Sequence, residues 1–436
     1  MNHCRGARGA LDGILWARMH SVDLGPVDPR EQRQRPSDLF LIFVGANIVA
    51  TTLQIGASLP PLTLGTALGI IAAGALGGAL LVALLAPVGS RLGVPSIVAT
   101  RAALGYYGAQ IVALILFLTN FVWIALNNVI AASITSRVVN DTAHQGAWAV
   151  GLGLVATLIV LGGPRLVGYA DRVAVPLLGI SGAVFTLACL RAKWPGLPPA
   201  SHDVGDHFRA FDVVFGYQTS WLLMFGDYSR YSSSGRKAGF AVFAGLGVTA
   251  LWFIPLGLMA STIAGSADPG VMVQALGLGW WGGILVTLAT LTTNFVNIYM
   301  SALALKSLWP SAPDNVAVWV IGGIGAAISV LSSTWLDQMA NFTLILAGLF
   351  VPVGGLLLAH FVVRRGEDSV DALYAGPSGE APAVGNWSTA GMSAWIAGAA
   401  TFYAAQGIGG VAPSLGVSML VYLVLAPRRP RSSSAP

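Results

Sequence analysis

Two short runs decide how this chain folds: Val44-Gly45-Ala46-Asn47-Ile48, followed by Thr51, Thr52 and Gln54, and Phe215-Gly216-Tyr217-Gln218-Thr219-Ser220-Trp221. Each lies inside a long apolar stretch, where an unbroken lipid-facing helix would carry Leu or Val. Each instead places a glycine and a polar amide there. The core of a bilayer offers no water, so buried amides are tolerated only where they bond protein or line a cavity. Taken singly, Gly45 and Gly216 read equally well as packing glycines, with Asn47 and Gln218 joining neighbouring helices. Taken together, at corresponding places in the two halves of the chain, they mark two discontinuous helices around a solute site.

The rest of the sequence agrees with a membrane setting. Charged residues make up 9% of the 436 and apolar residues 55%, whereas a soluble domain carries roughly a quarter charged. Twelve candidate spans lie near 39–58, 63–87, 107–133, 146–164, 173–190, 211–228, 239–264, 272–304, 315–333, 341–363, 389–405 and 408–426. Most approach the ~20 apolar residues that a helix needs to cross hydrocarbon. The expected fold is all-α and integral to the membrane: twelve transmembrane helices, with a 5+5 inverted-repeat core whose first and sixth helices are discontinuous, plus two C-terminal helices. The expected divisions are a tail at 1–38, repeats at 39–190 and 211–363, the added pair at 386–426 and a second tail at 427–436. The 54 glycines suit close helix packing in lipid. Cys4 and Cys189 suggest neither a bridge nor a metal site. The polar, basic first 37 residues do not resemble a signal peptide.

A net charge of +5 could suggest nucleic acid, but its distribution argues for topology. With the N-terminus inside, the loops carrying Arg91, Arg101, Arg165, Arg230, Arg236, Lys306 and Arg364 fall on the cytoplasmic side. Only Arg137, Arg191, Lys193 and Arg209 fall outside. This is the positive-inside bias, and it puts both termini of a multi-pass cell-membrane (inner-membrane) protein in the cytoplasm.

Three spans carry the chemistry. In span three, Asn120, Trp123 and Asn127 are spaced i, i+3, i+7 and share one helical face. An aromatic ring flanked by amides suits a flat, neutral heterocycle: stacking holds the ring and the amides read its edge. The alternative is an interfacial Trp with helix-linking asparagines. In span eight, Thr292 and Thr293 beside unwound carbonyls of span one would make an all-oxygen cage suited to Na⁺; the alternative is back-bonding of both hydroxyls to the preceding turn. At the end of span six, Asp227 is expected to pair with Arg230 or another basic residue, and could instead carry a proton. No Walker motif, nucleophile elbow, metal-ligand cluster or carboxylate pair is present, so neither ATP drive nor an enzyme is expected.

At these residues the chain resembles the purine–cytosine permeases, nucleobase–cation symporters related to hydantoin and allantoin transporters. The resemblance rests on Gly216–Trp221 with Asp227-Tyr228-Ser229-Arg230-Tyr231, on Thr119-Asn120 with Trp123, and on Thr292-Thr293-Asn294. It extends to Pro352-Val353-Gly354-Gly355 and Asn386-Trp387. It implies a LeuT-like core working by alternating access. It further implies a sodium ion held by the carbonyls of Gly45, Ile48 and Ala289 and the hydroxyls of Thr292 and Thr293. The substrate would pack on Trp123, be read by Asn120 and Asn294, and be walled by Tyr217, Gln218 and Trp221. Cytosine permeases have Gln at the Asn120 position and Phe at the Gln218 position, so the resemblance implies a ligand bulkier or more polar than cytosine.

Together these readings predict cation-coupled import of a nucleobase or related nitrogen heterocycle (a purine, cytosine or another pyrimidine). Hydroxymethylpyrimidine, hydantoin and allantoin are the close alternatives. No cofactor is expected beyond the coupling cation, Na⁺ with H⁺ as the alternative. The expected partners are a small neutral heterocycle and the lipid bilayer, with neither nucleic acid nor an obligate protein partner. A membrane receptor that binds without transporting, or an amino-acid transporter on the same helical plan, is the rival.

Overall fold

The computed structural model describes residues 23–162, 164–330, 336–366, 368–375 and 385–427. Residues 1–22 of the expected N-terminal tail, with Cys4, positions 367 and 376–384 of the 364–385 loop, and the tail beyond 427 lie outside the described residues. The chain is mostly helical. In order come α1 (Pro36–Asn47), α2 (Ala50–Ala57), α3 (Leu64–Leu92), α4 (Ser96–Val138), α5 (Gln145–Leu161), α6 (Pro164–Arg191), α7 (Val204–Thr219) and α8 (Gly235–Ala264). Then follow α9 (Pro269–Ala275), α10 (Gly279–Leu308), α11 (Asp314–Ile328), α12 (Met339–Leu357), α13 (Val370–Tyr374), α14 (Thr389–Ala404) and α15 (Val411–Leu425). Among the described residues, six helices are long and apolar enough to cross a membrane, or seven if the bent pair α1–α2 counts as one span.

Both interrupted helices are present, each broken about three residues past its glycine. The first break falls at Ile48–Val49, three residues past Gly45, and α1 and α2 meet at 55°. Val49 is extended (φ −141°, ψ 162°), a conformation that its branched side chain favours. The Thr52 hydroxyl donates to the Asn47 carbonyl at 2.6 Å, so a local side chain takes over an acceptor that the break removes from the helical ladder. The second break follows Thr219: the chain leaves α7 through turns and short 3-10 segments at Leu222–Met224 and Ser229–Tyr231. A further departure is that the expected 91–101 loop is helical from Ser96, and α4 turns at Gly105 (φ +79°). There the chain before α14 inserts, and the Tyr106 and Tyr107 amides donate to the carbonyls of Gly385 and Asn386. A side chain at Gly105 would meet the Gly385 carbonyl oxygen at 2.8 Å.

The helices form two packed groups. One joins α1, α2, α3, α7 and α8, and the other joins α4, α5, α10 and α11. α12, α14 and α15 pack together, and α12 also packs on α7. Glycines set the closest approaches. A Cβ at Gly56 would lie 1.9 Å from the Ile254 carbonyl oxygen, and one at Gly257 would lie 1.9 Å from that of Leu53, so α2 and α8 touch backbone to backbone. On the face nearer the N-terminus, residues 23–34 cross the ends of several elements. Arg230, 1% exposed, donates to the carbonyls of Asp23 and Gly25, and Gln32 donates to those of Ser90 and Arg230. Tyr374 donates to the Leu24 carbonyl, and burial pushes its phenol up to about 12.

Candidate substrate-binding site

A cavity lies at the seam between the two helical groups. Thr51 reaches it from α2, just past the first break, and Tyr217, Ser220 and Trp221 from the second break. The continuous helices face them: α4 with Asn120, Trp123 and Asn127, and α10 with Thr293, Asn297 and Met300. The shared face read from span three is thus present as a wall. None of the ten lining side chains is charged.

Aromatic rings frame one side. Trp123 makes edge contacts with Tyr217 (centroids 5.9 Å apart, planes at 66°) and Phe342 (5.1 Å, 67°). Tyr217 is fixed in turn by the first break. The Thr52 hydroxyl spends its proton on Asn47, so in the 2.6 Å contact between Thr52 and Tyr217 the phenol is the donor. This relay couples the two discontinuous helices through one Tyr–Thr–carbonyl chain.

Polar atoms without partners gather on the wall. Asn127 donates its amide to the Trp123 carbonyl at 3.0 Å, which leaves its Oδ1 unbonded. Asn120 Nδ2, Trp221 Nε1 and Asn297 Nδ2 also have no protein partner among the described residues. The four residues that carry these three donors and one acceptor all line one cavity. An unmet buried polar atom costs about 1–3 kcal/mol, so the arrangement favours an occupant that supplies matching groups.

The structure brings Asn120, Trp123, Tyr217, Trp221 and Thr293 together. It places Asn47, Gln218 and Asn294 elsewhere. Asn47 donates to Leu246 O (3.1 Å) and Thr249 Oγ1 (2.9 Å), joining α1 to α8. Gln218 faces α3, where a Cβ at Gly78 would lie 2.5 Å from its own Cβ. Asn294 donates to Asn128 Oδ1 at 2.6 Å. Both Thr292 and Thr293 donate to the Ala289 carbonyl, at 2.8 and 3.4 Å. Gly45 lies within α1 and Ile48 at the break, and α10 packs against both α1 and α2. Asp227, expected to pair with Arg230 or another basic residue, accepts from the Ser96 hydroxyl (2.6 Å) at the start of α4; Arg230 is close enough to interact with its charge, while its guanidinium donates to carbonyls of the N-terminal segment. The wall residues that sequence reasoning did not commit to are Thr51, Ser220, Asn127, Asn297 and Met300. Thr293, Asn297 and Met300 follow i, i+4, i+7, so extending the face of Thr293 along α10 would have found two of them.

A neutral, aromatic, amide-lined cavity between two broken and two continuous helices defines a membrane transporter of small solutes. Residues 26–424 match the family described as permease for cytosine/purines, uracil, thiamine, allantoin, and the chain belongs to that family. It is 27% identical over 394 residues to YxlA of Bacillus subtilis, a protein named for purine–cytosine transport, with 83% of each chain covered. It is also 27% identical over 365 residues to the purine-cytosine permease FCY2 of Saccharomyces cerevisiae, covering 72% of this chain and 66% of that one. Among solved structures it is similar to Mhp1, a nucleobase-cation-symport-1 family transporter in a closed conformation with bromovinylhydantoin bound. That likeness has a TM-score of 0.76 at 17% identity, covering 93% of this chain and 95% of that one. The structure of MhsT with L-phenylalanine matches at a TM-score of 0.52 and 15% identity, covering 89% and 97%. These two likenesses concern the fold.

Proposed function

We propose that this protein imports a small, planar, neutral nitrogen heterocycle of the nucleobase or hydantoin class, coupled to Na⁺. The observation that carries the reading is the set of unpartnered atoms at Asn120, Asn127, Trp221 and Asn297 beside the Trp123 indole. A ring with carbonyl acceptors and at least one N–H donor on its edge satisfies three donors and one acceptor while stacking on Trp123. The wall offers no charged side chain to an amino acid, whose carboxylate and ammonium would depend on the backbone groups of the two helix breaks alone. The names of YxlA and FCY2 and the hydantoin held by Mhp1 support the same substrate class.

In this reading the chain has twelve spans. Repeats at 39–190 and 211–363 form the inverted pair, the helices of 386–426 are added to it, and both termini are cytoplasmic in the cell membrane. Sodium would sit where the first break meets α10, held by the carbonyls of Gly45, Ile48 and Ala289 and the hydroxyls of Thr292 and Thr293. The proposed donors are all oxygen, as a hard cation requires; both threonine hydroxyls here bond back to the Ala289 carbonyl, so binding the ion would require them to turn from that oxygen. When bound, the ion would tie α10 to the discontinuous helix and so favour one arrangement of the two helical groups. Asn47, Gln218 and Asn294 then support the site from behind, and Tyr217 and Trp221 wall it.

Uptake of a heterocycle panel into vesicles containing the purified protein tests the proposal. Accumulation driven by an inward Na⁺ gradient is the expected result. Binding without accumulation would favour a receptor, and uptake of amino acids in place of heterocycles would overturn the substrate class.

A further inference from the structure

We infer that Asn128 and Asn294 act as positioning residues: bonded to each other behind the site, they set the rotation of α4 and α10 on which substrate reading depends. The inference rests on the heterocycle-binding reading above. Both side chains are fully buried. Asn294 Nδ2 donates to Asn128 Oδ1 at 2.6 Å, Asn128 Nδ2 donates to Ser329 Oγ at 3.0 Å, and Ser329 Oγ donates to the Gly325 carbonyl at 2.7 Å. The chain of bonds therefore runs from α10 through α4 to the end of α11. α5 closes over it, because a Cβ at Gly153 would fall 2.5 Å from Asn128 Nδ2.

The sequence positions give this hub its role. On α4 the cavity-lining Asn127 immediately precedes Asn128, and on α10 the cavity-lining Thr293 immediately precedes Asn294. Successive residues on a helix point about 100° apart. Each helix thus devotes one residue to the cavity and the next to a clamp, and the clamp residues of the two helices bond directly. Side-chain tips lie about 5–6 Å from a helix axis, so a 10° rotation moves them by on the order of 1 Å. That shift is enough to degrade a hydrogen bond. Losing the clamp would therefore misplace Asn127, Asn297 and Trp123 together. Asn294 Oδ1 has no protein partner among the described residues, but Asn294 is not on the cavity wall, which separates positioning from direct reading.

A double-mutant cycle on the full-length purified protein decides between these roles. Equilibrium binding of cytosine, uracil, hypoxanthine, adenine and hydantoin would be measured for the unmodified protein, N128A, N294A, the double variant and S329A, with uptake kinetics alongside. Positioning predicts that each asparagine variant weakens every ligand that binds by a similar factor, about tenfold, without reordering them. The double variant should be no weaker than the worse single one, and KM should rise while the maximal rate per folded protein holds. S329A, which removes only the far end of the chain, should show the same uniform pattern in smaller size and serves if the asparagine variants do not fold. A change of ligand order in N294A with N128A unaltered would make Asn294 a reader and overturn the inference. Wild-type affinity in folded variants, with only lowered melting temperature, would reduce the hub to a structural contact and also overturn it. If the unmodified protein binds none of the five ligands, the substrate reading falls first and takes this inference with it.

Discussion

Replacing Trp123 by alanine isolates the aromatic wall of the cavity. The indole is 8% exposed, sits edge-on to Tyr217 and Phe342, and lines the cavity. Stacking of a heterocycle on such a ring contributes ~1–3 kcal/mol. At about 1.4 kcal/mol per decade, its loss weakens binding roughly 5- to 150-fold. Asn127 is anchored on the backbone carbonyl of Trp123, not on its side chain, so alanine leaves that amide's tether in place and the loss reports the ring. The same substitution opens a hole in the core, which for large aromatics costs about 3–5 kcal/mol of stability. The measurement must therefore be made on monodisperse protein, with binding expressed per folded molecule. Trp123→Phe keeps an aromatic plane and should lose less than about tenfold, giving a graded series. Binding and uptake of all tested heterocycles at unmodified affinity by folded Trp123→Ala would refute the assignment of this cavity as the substrate site.

Thr293→Ala, which removes a hydroxyl of the proposed sodium cage at a cavity-lining position, should raise the Na⁺ concentration for half-maximal uptake; uptake that ignores Na⁺ and collapses with a proton gradient would replace sodium with protons and direct attention to Asp227. Cytosine should not be the tightest ligand, because Asn120 is one methylene shorter than Gln; Asn120→Gln should shift preference toward it by about tenfold, and competition in which cytosine already wins on the unmodified protein would remove the argument. Gly56→Ala, whose new Cβ would lie 1.9 Å from a carbonyl oxygen of α8, should cost about 1–3 kcal/mol or more; a melting temperature equal to that of the unmodified protein would mean that α2 and α8 are not in backbone contact.

The helical character of the chain was legible because it depends on properties local to the sequence. Long apolar runs satisfy their own backbone groups only as helices, and Asn120, Trp123 and Asn127 declare a shared face by spacing alone. Both breaks were legible only to within a turn: Gly216 lies inside α7, which runs on to Thr219. Gly45 draws the eye, yet the helix continues through it and opens at Ile48–Val49, where Val49 takes an extended conformation and Thr52 competes for the Asn47 carbonyl. That competition involves a side chain five residues on, so it becomes visible only once the bend exists.

The amides of the candidate site pose a different problem for sequence reading. Asn47, Gln218 and Asn294 were correctly read as buried amides, and all three are essentially inaccessible. What the sequence withheld was their azimuth. In a soluble amphipathic helix the apolar stripe fixes which way each side chain points. A helix that is apolar all round offers no such reference, so a polar residue serves equally well as a reader of ligand or as a bond to the next helix. One residue's step, about 100°, separates Asn127 from Asn128 and Thr293 from Asn294, and only the packing of α4 against α10 decides which of each pair meets the cavity. Spacing alone does not break the degeneracy. Trp123 with Asn127, and Thr293 with Asn297, line the cavity together, yet Asn294 stands three residues before Asn297 and Gln218 three before Trp221, and both of those amides meet protein, Asn294 through Asn128 and Gln218 against α3.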